Sequence, residues 1–505
     1  MDGPTLKRSG RNPLLPILAA AFLLAGYGSF LVRHTAFSVG GSDSSGYMNT
    51  ARRLMAGTLV SPPRTLQRYA LPDDPLQIFI PLGFVEGPRP GTMAPYYPSG
   101  FPAHMAAAAL LLGWQRGPFL VAPLAALLGV LLFYLLAREV SLSRVWAAAA
   151  AAVFAAWPVL IGQAIQPMSD STATVWALAA VLCAVKARRR NAWALGAGAA
   201  LGIAVLVRPA NLLLVIPLAF ALPIALRALA LFLTGGIPFA AALAAYDIHC
   251  YGSPLQSGYG KTGLLGAVSL GNFPPRFHHY GGWILRSLTP LVPLAWIGFA
   301  ADRRAAWRDR ALLLSWPASF FLFYCLYEPY DSFWFVRFLL PGVPGLILGA
   351  FLAARDLAAR LPRRRWLTAA GVASLIVVFW AEVRSTRAVG LLNTARYESV
   401  YPEICGWAAR TLPARSVVLS MAASGALEHY TDLAYARWDW IEPAKFSDLR
   451  LRIEEKGGVW FALLFPFEAE QMFKQTRGRW KKIGLLRDVG LYELEKEETT
   501  SPSAP

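Results

Sequence analysis

Apolar residues in this chain collect into uninterrupted runs of about twenty, long enough to cross a bilayer, and not into the narrow stripes of a soluble helical core. The runs lie at approximately 14–33, 117–137, 145–164, 168–186, 192–208, 210–226, 228–247, 283–300, 311–327, 334–354 and 366–383. They predict an α-helical polytopic membrane protein with about eleven transmembrane helices, whose odd number puts the two ends on opposite sides. A further run at 101–113 is too short to cross and is expected as an interfacial helix. The first run carries a basic flank like a signal peptide, but its length and the many spans after it predict a retained anchor.

Two longer polar stretches remain, a first loop at 34–116 and a tail from about 384. In the tail, 416–420, 459–464 and 490–494 read as short strands and 446–456 as a helix, the pattern of a small α/β domain. The chain therefore divides into a membrane domain at 1–383 that includes the first loop, an extracytoplasmic α/β domain at 384–494, and a polar, disordered end at 495–505.

Composition agrees, since 56% hydrophobic and 15% charged residues exceed what one water-soluble core needs. A net charge of +18 suggests nucleic acid until it is divided by region. Residues 1–383 hold 31 Lys and Arg against 14 Asp and Glu, whereas the remainder holds 17 against 16. The basic excess sits in short loops of the membrane part, among them Arg138 with Arg144, Lys186 with Arg188 to Arg190, Arg303 with Arg304, and Arg363 to Arg365. By the positive-inside rule these loops and the N-terminus are cytoplasmic, so the first loop and the tail face the outer side. No nucleic-acid partner is expected. Cys183, Cys250, Cys325 and Cys405 lack metal-ligand spacing and read as small buried hydrophobes.

Charges left near the outer boundary need a reason, because ionisable groups at membrane depth are costly. Asp43, Asp170, Arg208, Asp247, Lys261, Arg276, Arg286, Glu328, Asp331 and Arg337 form this set. Asp43 opens an amphipathic segment in which Tyr47, Ala51 and Leu54 share a helical face with Arg52 and Arg53 beside it. Its carboxylate could deprotonate an acceptor hydroxyl or amine, or simply cap that helix, and the two roles are compatible. Asp170 begins a span and could line the same cavity or cap its own helix. Arg208 stands before Pro209, where a helix must break, and is expected to pair with a carboxylate. His278 and His279 read as solvated loop residues and not as metal ligands.

Six motifs then occur in order: Gly41-Ser42-Asp43-Ser44-Ser45-Gly46-Tyr47 with Ala51-Arg52-Arg53-Leu54; Tyr97-Pro98-Ser99-Gly100-Phe101-Pro102; Pro167-Met168-Ser169-Asp170-Ser171; Val207-Arg208-Pro209; Tyr251-Gly252-Ser253-Pro254-Leu255 with Gly258-Tyr259-Gly260; and Arg337-Phe338-Leu339-Leu340-Pro341 with Pro344. Their order over 14–383 resembles the GT-C superfamily of membrane glycosyltransferases, in the branch of the protein O-mannosyltransferases and the bacterial transferases that add aminoarabinose to lipid A. The resemblance implies a bacterial inner-membrane enzyme with its first loop and tail in the periplasm, and Asp43 as the catalytic base. It also implies a polyprenyl-phosphate sugar as donor and a lipid, glycan or protein acceptor, with a hexosyl or pentosyl group moved by inversion. Some relatives carry a paired acidic motif in this loop; here Ser42-Asp43-Ser44 offers one carboxylate, so no metal ligand is assigned and a divalent cation stays an open question. Asp170 is a second catalytic candidate. Arg52, Lys261 and Arg337 are candidates for the donor phosphate, with headgroup contact, solvation and pairing to Glu328 or Asp331 as their ordinary alternatives. Tyr47, Tyr97 and Tyr259 are candidates for sugar or acceptor contact.

The stretch Gly258-Tyr259-Gly260-Lys261-Thr262-Gly263 has dinucleotide-like spacing but no preceding strand, and neither an Asp-x-Asp pair nor a His-Glu-x-x-His occurs. A transporter or lipid flippase is the rival expectation, and it predicts duplicated halves that the sequence lacks.

Overall fold

The computed structural model describes residues 14–71, 75–260, 263–301, 306–327, 331–360 and 365–495. The apolar runs expected as spans are largely helical, starting with Leu14–His34, and several are interrupted by short breaks. Four helices are long and apolar enough to cross a membrane alone: Gly117–Glu139, Ser169–Ala187, Leu226–Tyr251 and Ala369–Ala388. Three bent pairs raise this to seven among the described residues, against the eleven runs expected. Two of the shortfalls have a plain cause. Trp193–Val207 and Pro209–Ala221 are 15 and 13 residues long, about 22 and 20 Å at the α-helical rise, short of a ~30 Å hydrocarbon core.

The breaks follow the prolines. Trp157 before Pro158 is extended (ψ 124°), and Arg144–Ala156 meets Pro158–Ala164 at 61°. Arg208 before Pro209 is likewise extended (φ −147°, ψ 114°), which ends Trp193–Val207 as its sequence predicts. The short 3-10 turn Phe333–Leu339 meets Val343–Arg360 at 72°. His278 and His279 lie within the helix Phe273–Leu288, which corrects their placement in a loop; Pro274 and Pro275 occupy its first turn, where a missing N–H costs nothing.

The first loop carries Asp43–Ala56, Arg64–Tyr69 and a two-stranded antiparallel ribbon, β1 (Phe84–Glu86) with β2 (Met93–Pro95). The short apolar run forms the helix Gly100–Leu112, packed on Gly117–Glu139 and Trp193–Val207, with Leu110, Leu111 and Leu112 exposed.

The tail forms a five-stranded mixed sheet from β3 (Ser416–Leu419), β4 (Ala434–Ala436), β5 (Val459–Leu464), β6 (Trp480–Leu486) and β7 (Val489–Leu494), in the order β4-β3-β5-β7-β6. β3 is parallel to β4 and β5, and β7 is antiparallel to β5 and β6. Side-chain alternation splits two cores: Val417, Leu419, Trp460, Ala462 and Leu464 face one, Val418, Phe461 and Leu463 the other. The first of these cores also holds Tyr69, Leu71, Ile78 and Phe79 from the first loop. Loop and tail thus share a hydrophobic core, and the helix Asp43–Ala56 is clamped to it. Glu428 accepts from Arg53 at 2.6 Å and pairs with Arg64 at 3.0 Å, and Asn49 donates to the Gly425 carbonyl at 3.0 Å.

Candidate active site

Asp43 sits at the end of a turn that only certain residues can make. Gly41 is left-handed (φ 56°), and the Ser44 hydroxyl closes the turn through the Gly40 backbone at 2.6 and 2.9 Å. Gly46 and Gly83 cross so closely that a Cβ added at Gly83 would lie 2.3 Å from the Gly46 Cα. That crossing lets the Tyr97 ring pack against Tyr47, tilted by 40° with the centroids 4.6 Å apart, and brings its hydroxyl to Asp43.

The Asp43 carboxylate is used on both oxygens. Tyr97 donates to Oδ1 and Arg337 pairs with Oδ2 at 2.7 Å, the two side chains of the ion pair being 13% and 24% exposed. Ser42 occupies the N-cap position without a side-chain cap bond, so Asp43 reaches into a site and does not cap its own helix. Burial alone would raise the Asp43 carboxyl, but the Arg337 guanidinium and the Tyr97 hydrogen bond outweigh it and hold the group below the usual carboxylate range. Burial and the Asp43 charge push the Tyr97 phenol well up, which keeps it a donor.

Behind this pair lies another. Arg208, freed from the helix by the Pro209 break, pairs with Asp170 at the start of Ser169–Ala187, as its position before a proline predicts. Asp170 is 1% exposed, and its Oδ2 has no hydrogen-bond partner among the described residues. Each of the two guanidinium groups lies over the Phe338 ring, Arg208 at 5.2 Å and Arg337 at 5.6 Å. A cavity of about 510 Å³ opens onto Asp43, Arg208, Arg337, Tyr47, Tyr97 and Tyr259.

Asp43, Arg337, Tyr47, Tyr97 and Tyr259 are therefore brought together as the sequence led us to expect. Three expectations part from the geometry. Arg52 is outside the cavity, over the Trp114 ring at 5.7 Å, because the helix turns it away from the face that carries Asp43 and Tyr47. Asp170 stands behind Arg208 and holds it, outside the lining. Arg337 pairs with Asp43, while Asp331 is taken by Arg276 at 2.9 Å. Lys261 and Glu328 lie outside the described residues. Sequence reasoning missed Glu398, which lines the same cavity from the tail and whose carboxyl burial raises to about 7. Nothing in Thr394-Ala395-Arg396-Tyr397-Glu398 could have announced it.

A divalent cation fits poorly at Asp43. A phenol and a guanidinium already occupy its oxygens, and among the described residues no three His, Cys, Asp or Glu side chains group together.

No protein-family model and no curated protein matches the sequence. Solved structures do resemble this one. ArnT from Cupriavidus metallidurans bound to undecaprenyl phosphate aligns over 94% of this chain and 98% of its own, at TM-score 0.59 and 14% identity. The Archaeoglobus fulgidus oligosaccharyltransferase tethered to an acceptor peptide aligns over 94% of this chain and 74% of its own (TM-score 0.53, 13% identity). The arabinofuranosyltransferase AftD from Mycobacteria aligns over 98% of this chain and 42% of its own (TM-score 0.53, 14% identity). What this chain shares with them is the fold, in which helices long and apolar enough to cross a membrane are followed by a small sheet domain at the C-terminal end.

Proposed function

We propose that this protein is an integral-membrane glycosyltransferase that moves one sugar from a polyprenyl-phosphate donor to a hydroxyl or amine acceptor at the outer face of the membrane. The observation that carries the reading is the Asp43 carboxylate set against Arg337 and Arg208 in one cavity of a GT-C fold. A carboxylate to take a proton and two guanidinium groups to receive a phosphate are the parts a single displacement needs.

In that reaction Asp43 accepts the acceptor proton as the acceptor attacks the anomeric carbon, and the bond from that carbon to the phosphate oxygen breaks on the opposite side, inverting the centre. The leaving lipid phosphate gathers charge, which Arg337 and Arg208 stabilise. Arg337 serves both partners in turn. Drawn to the donor phosphate, it releases Asp43, and a group that lowered the carboxyl is removed as the acceptor needs a base. Tyr97 keeps its hydrogen bond and holds the carboxylate in place. Asp170 acts as a positioning residue through Arg208.

The test is Asp43→Asn in purified protein supplied with a panel of polyprenyl-phosphate sugars, following release of the lipid phosphate. Transfer should fall by about a hundred- to ten-thousandfold with undecaprenyl phosphate binding retained. Full activity in the variant would remove Asp43 as the base.

A further inference from the structure

Two further cavities share walls with the central one, and they differ in chemistry. The first, of about 440 Å³, meets it at Tyr96 and Tyr259 and is walled by Leu212, Ile216, Leu243 and Phe323, a lining suited to an apolar chain. The second, of about 460 Å³, meets the central cavity at Ser42 and Tyr96, one residue from Asp43. Its far wall comes from the tail, through Arg437 and Trp440, and its floor includes Gln77, Gln256 and Ser257. Loop and tail are tied at this point, because the Arg437 backbone N–H donates to the Ile78 carbonyl at 2.7 Å.

Nothing assigned so far uses this second cavity, and its residues narrow what it takes. Trp440 lines the cavity with half of its surface exposed (50%), the Arg437 guanidinium lying over its ring at 5.7 Å and the remaining indole surface left to a ligand. Gln77 and Gln256 each offer a donor and an acceptor, the paired chemistry of neighbouring hydroxyls. The charge of Arg437 is already met by Asp439, whose carboxylate takes its Nε at 3.1 Å, and Glu86 adds a negative charge to the lining. Among the described residues that line it, an anionic headgroup would find no uncommitted cation. A sugar ring, apolar on one face and hydroxylated at its rim, matches an indole platform flanked by amides.

We infer that this cavity receives the acceptor and that the acceptor is a neutral glycan whose sugar ring stacks on Trp440, an inference that rests on the transferase reading. The terminal hydroxyl of such a glycan would pass Tyr96 to meet Asp43, while the donor comes from the apolar side. Full-length protein in detergent, titrated calorimetrically with chitopentaose and with maltopentaose, tests it, with undecaprenyl phosphate titrated in parallel. At least one pentasaccharide should bind, Trp440→Ala should weaken it about tenfold, Trp440→Phe should restore most of the affinity, and neither variant should change undecaprenyl phosphate binding. Pentasaccharides that fail to bind the wild-type protein, or bind Trp440→Ala equally well, overturn the acceptor-site assignment alone. Undecaprenyl phosphate that fails to bind strikes the transferase reading instead.

Discussion

Replacing Arg337 with methionine keeps the bulk of the side chain and removes the cation 2.7 Å from Asp43 Oδ2. In the native protein burial raises the Asp43 carboxyl, and Arg337 with Tyr97 more than cancels this. Without Arg337 the raising influence stays and the principal lowering one is gone, so the Asp43 pKa must climb; a carboxylate losing an adjacent guanidinium shifts by about 1–3 units. If Asp43 is the base, the acid limb of the kcat/KM profile reports its ionisation in the free enzyme, and in Arg337→Met that limb should move to higher pH by this amount. The plateau will also fall, because Arg337 is offered as a phosphate ligand, but the position of the limb does not depend on the plateau. Stability follows the same sign. A depressed carboxyl stabilises the fold above its unfolded pKa and loses that contribution as pH falls through the folded value, so the variant should melt earlier at pH 7, by less than the ~3–5 kcal/mol of a fully buried pair because this one opens onto a cavity. In the wild type, donor binding that draws Arg337 away should place the acid limb of kcat above that of kcat/KM. Initial rates of lipid-phosphate release between pH 4 and 9 supply all of these quantities. An acid limb that stays put in Arg337→Met, or moves down, refutes the coupling between the two residues.

Asp170→Asn leaves the Arg208 charge without its counter-ion at a position 1% exposed, and should cost about 3–5 kcal/mol, read as a lower melting temperature together with weakened undecaprenyl phosphate binding. Gly83→Ala must fit a methyl group 2.3 Å from the Gly46 Cα at φ 88°, and should abolish transfer and destabilise the first loop. Gly91→Ala is its control, since φ there is 72° but nothing lies within 4 Å; it should cost only about 1 kcal/mol and leave transfer intact, as melting curves and rate assays of both will show.

The parts of this structure legible in the sequence are those governed by local rules. Apolar run length announces the helices, Pro209 announces the end of Trp193–Val207, and the motif around Asp43 announces a turn at a membrane boundary. Local rules also recover β3, β5 and the helix Phe446–Glu455, where hydrophobic patterning is strong. They miss β4 and β6. β4 is three residues long and is stabilised through Tyr435, whose N–H donates to the Thr65 hydroxyl 370 residues away at 3.1 Å, and β6 is an edge strand with most side chains exposed. Long-range pairings are the other blind spot. The partner of Arg337 reads as Glu328 or Asp331 by proximity in sequence, yet the fold gives it Asp43. Glu398 is invisible for the same reason, and so is Glu468. Its buried carboxylate gathers the backbone N–H groups of Met421, Ala422 and Phe465 and the Trp438 indole, at 2.9 to 3.1 Å.

The positions of the two arginines explain why the site lies where helices fail. A guanidinium in the middle of an intact apolar helix would face lipid or unpaired protein at a cost of several kcal/mol, whereas one at a break can turn inward to a carboxylate. Arg208 stands at the end of one helix, forced extended by Pro209, and Arg337 in a 3-10 turn that meets its following helix at 72°. Both carboxylates answer from helix starts, Asp43 from the first loop and Asp170 from Ser169–Ala187. Charges of opposite sign thus come from four separate segments, and none holds its position unless the others do. The shared core of loop and tail supplies the missing constraint on the most exposed of the four, because Glu428 and Gly425 fix the helix that carries Asp43. A tail with its own fold but no hold on Asn49 and Arg53 would leave Asp43 free to drift from Arg337. The sheet domain therefore shapes the cavity as much as the membrane helices do, by holding the helix that carries Asp43.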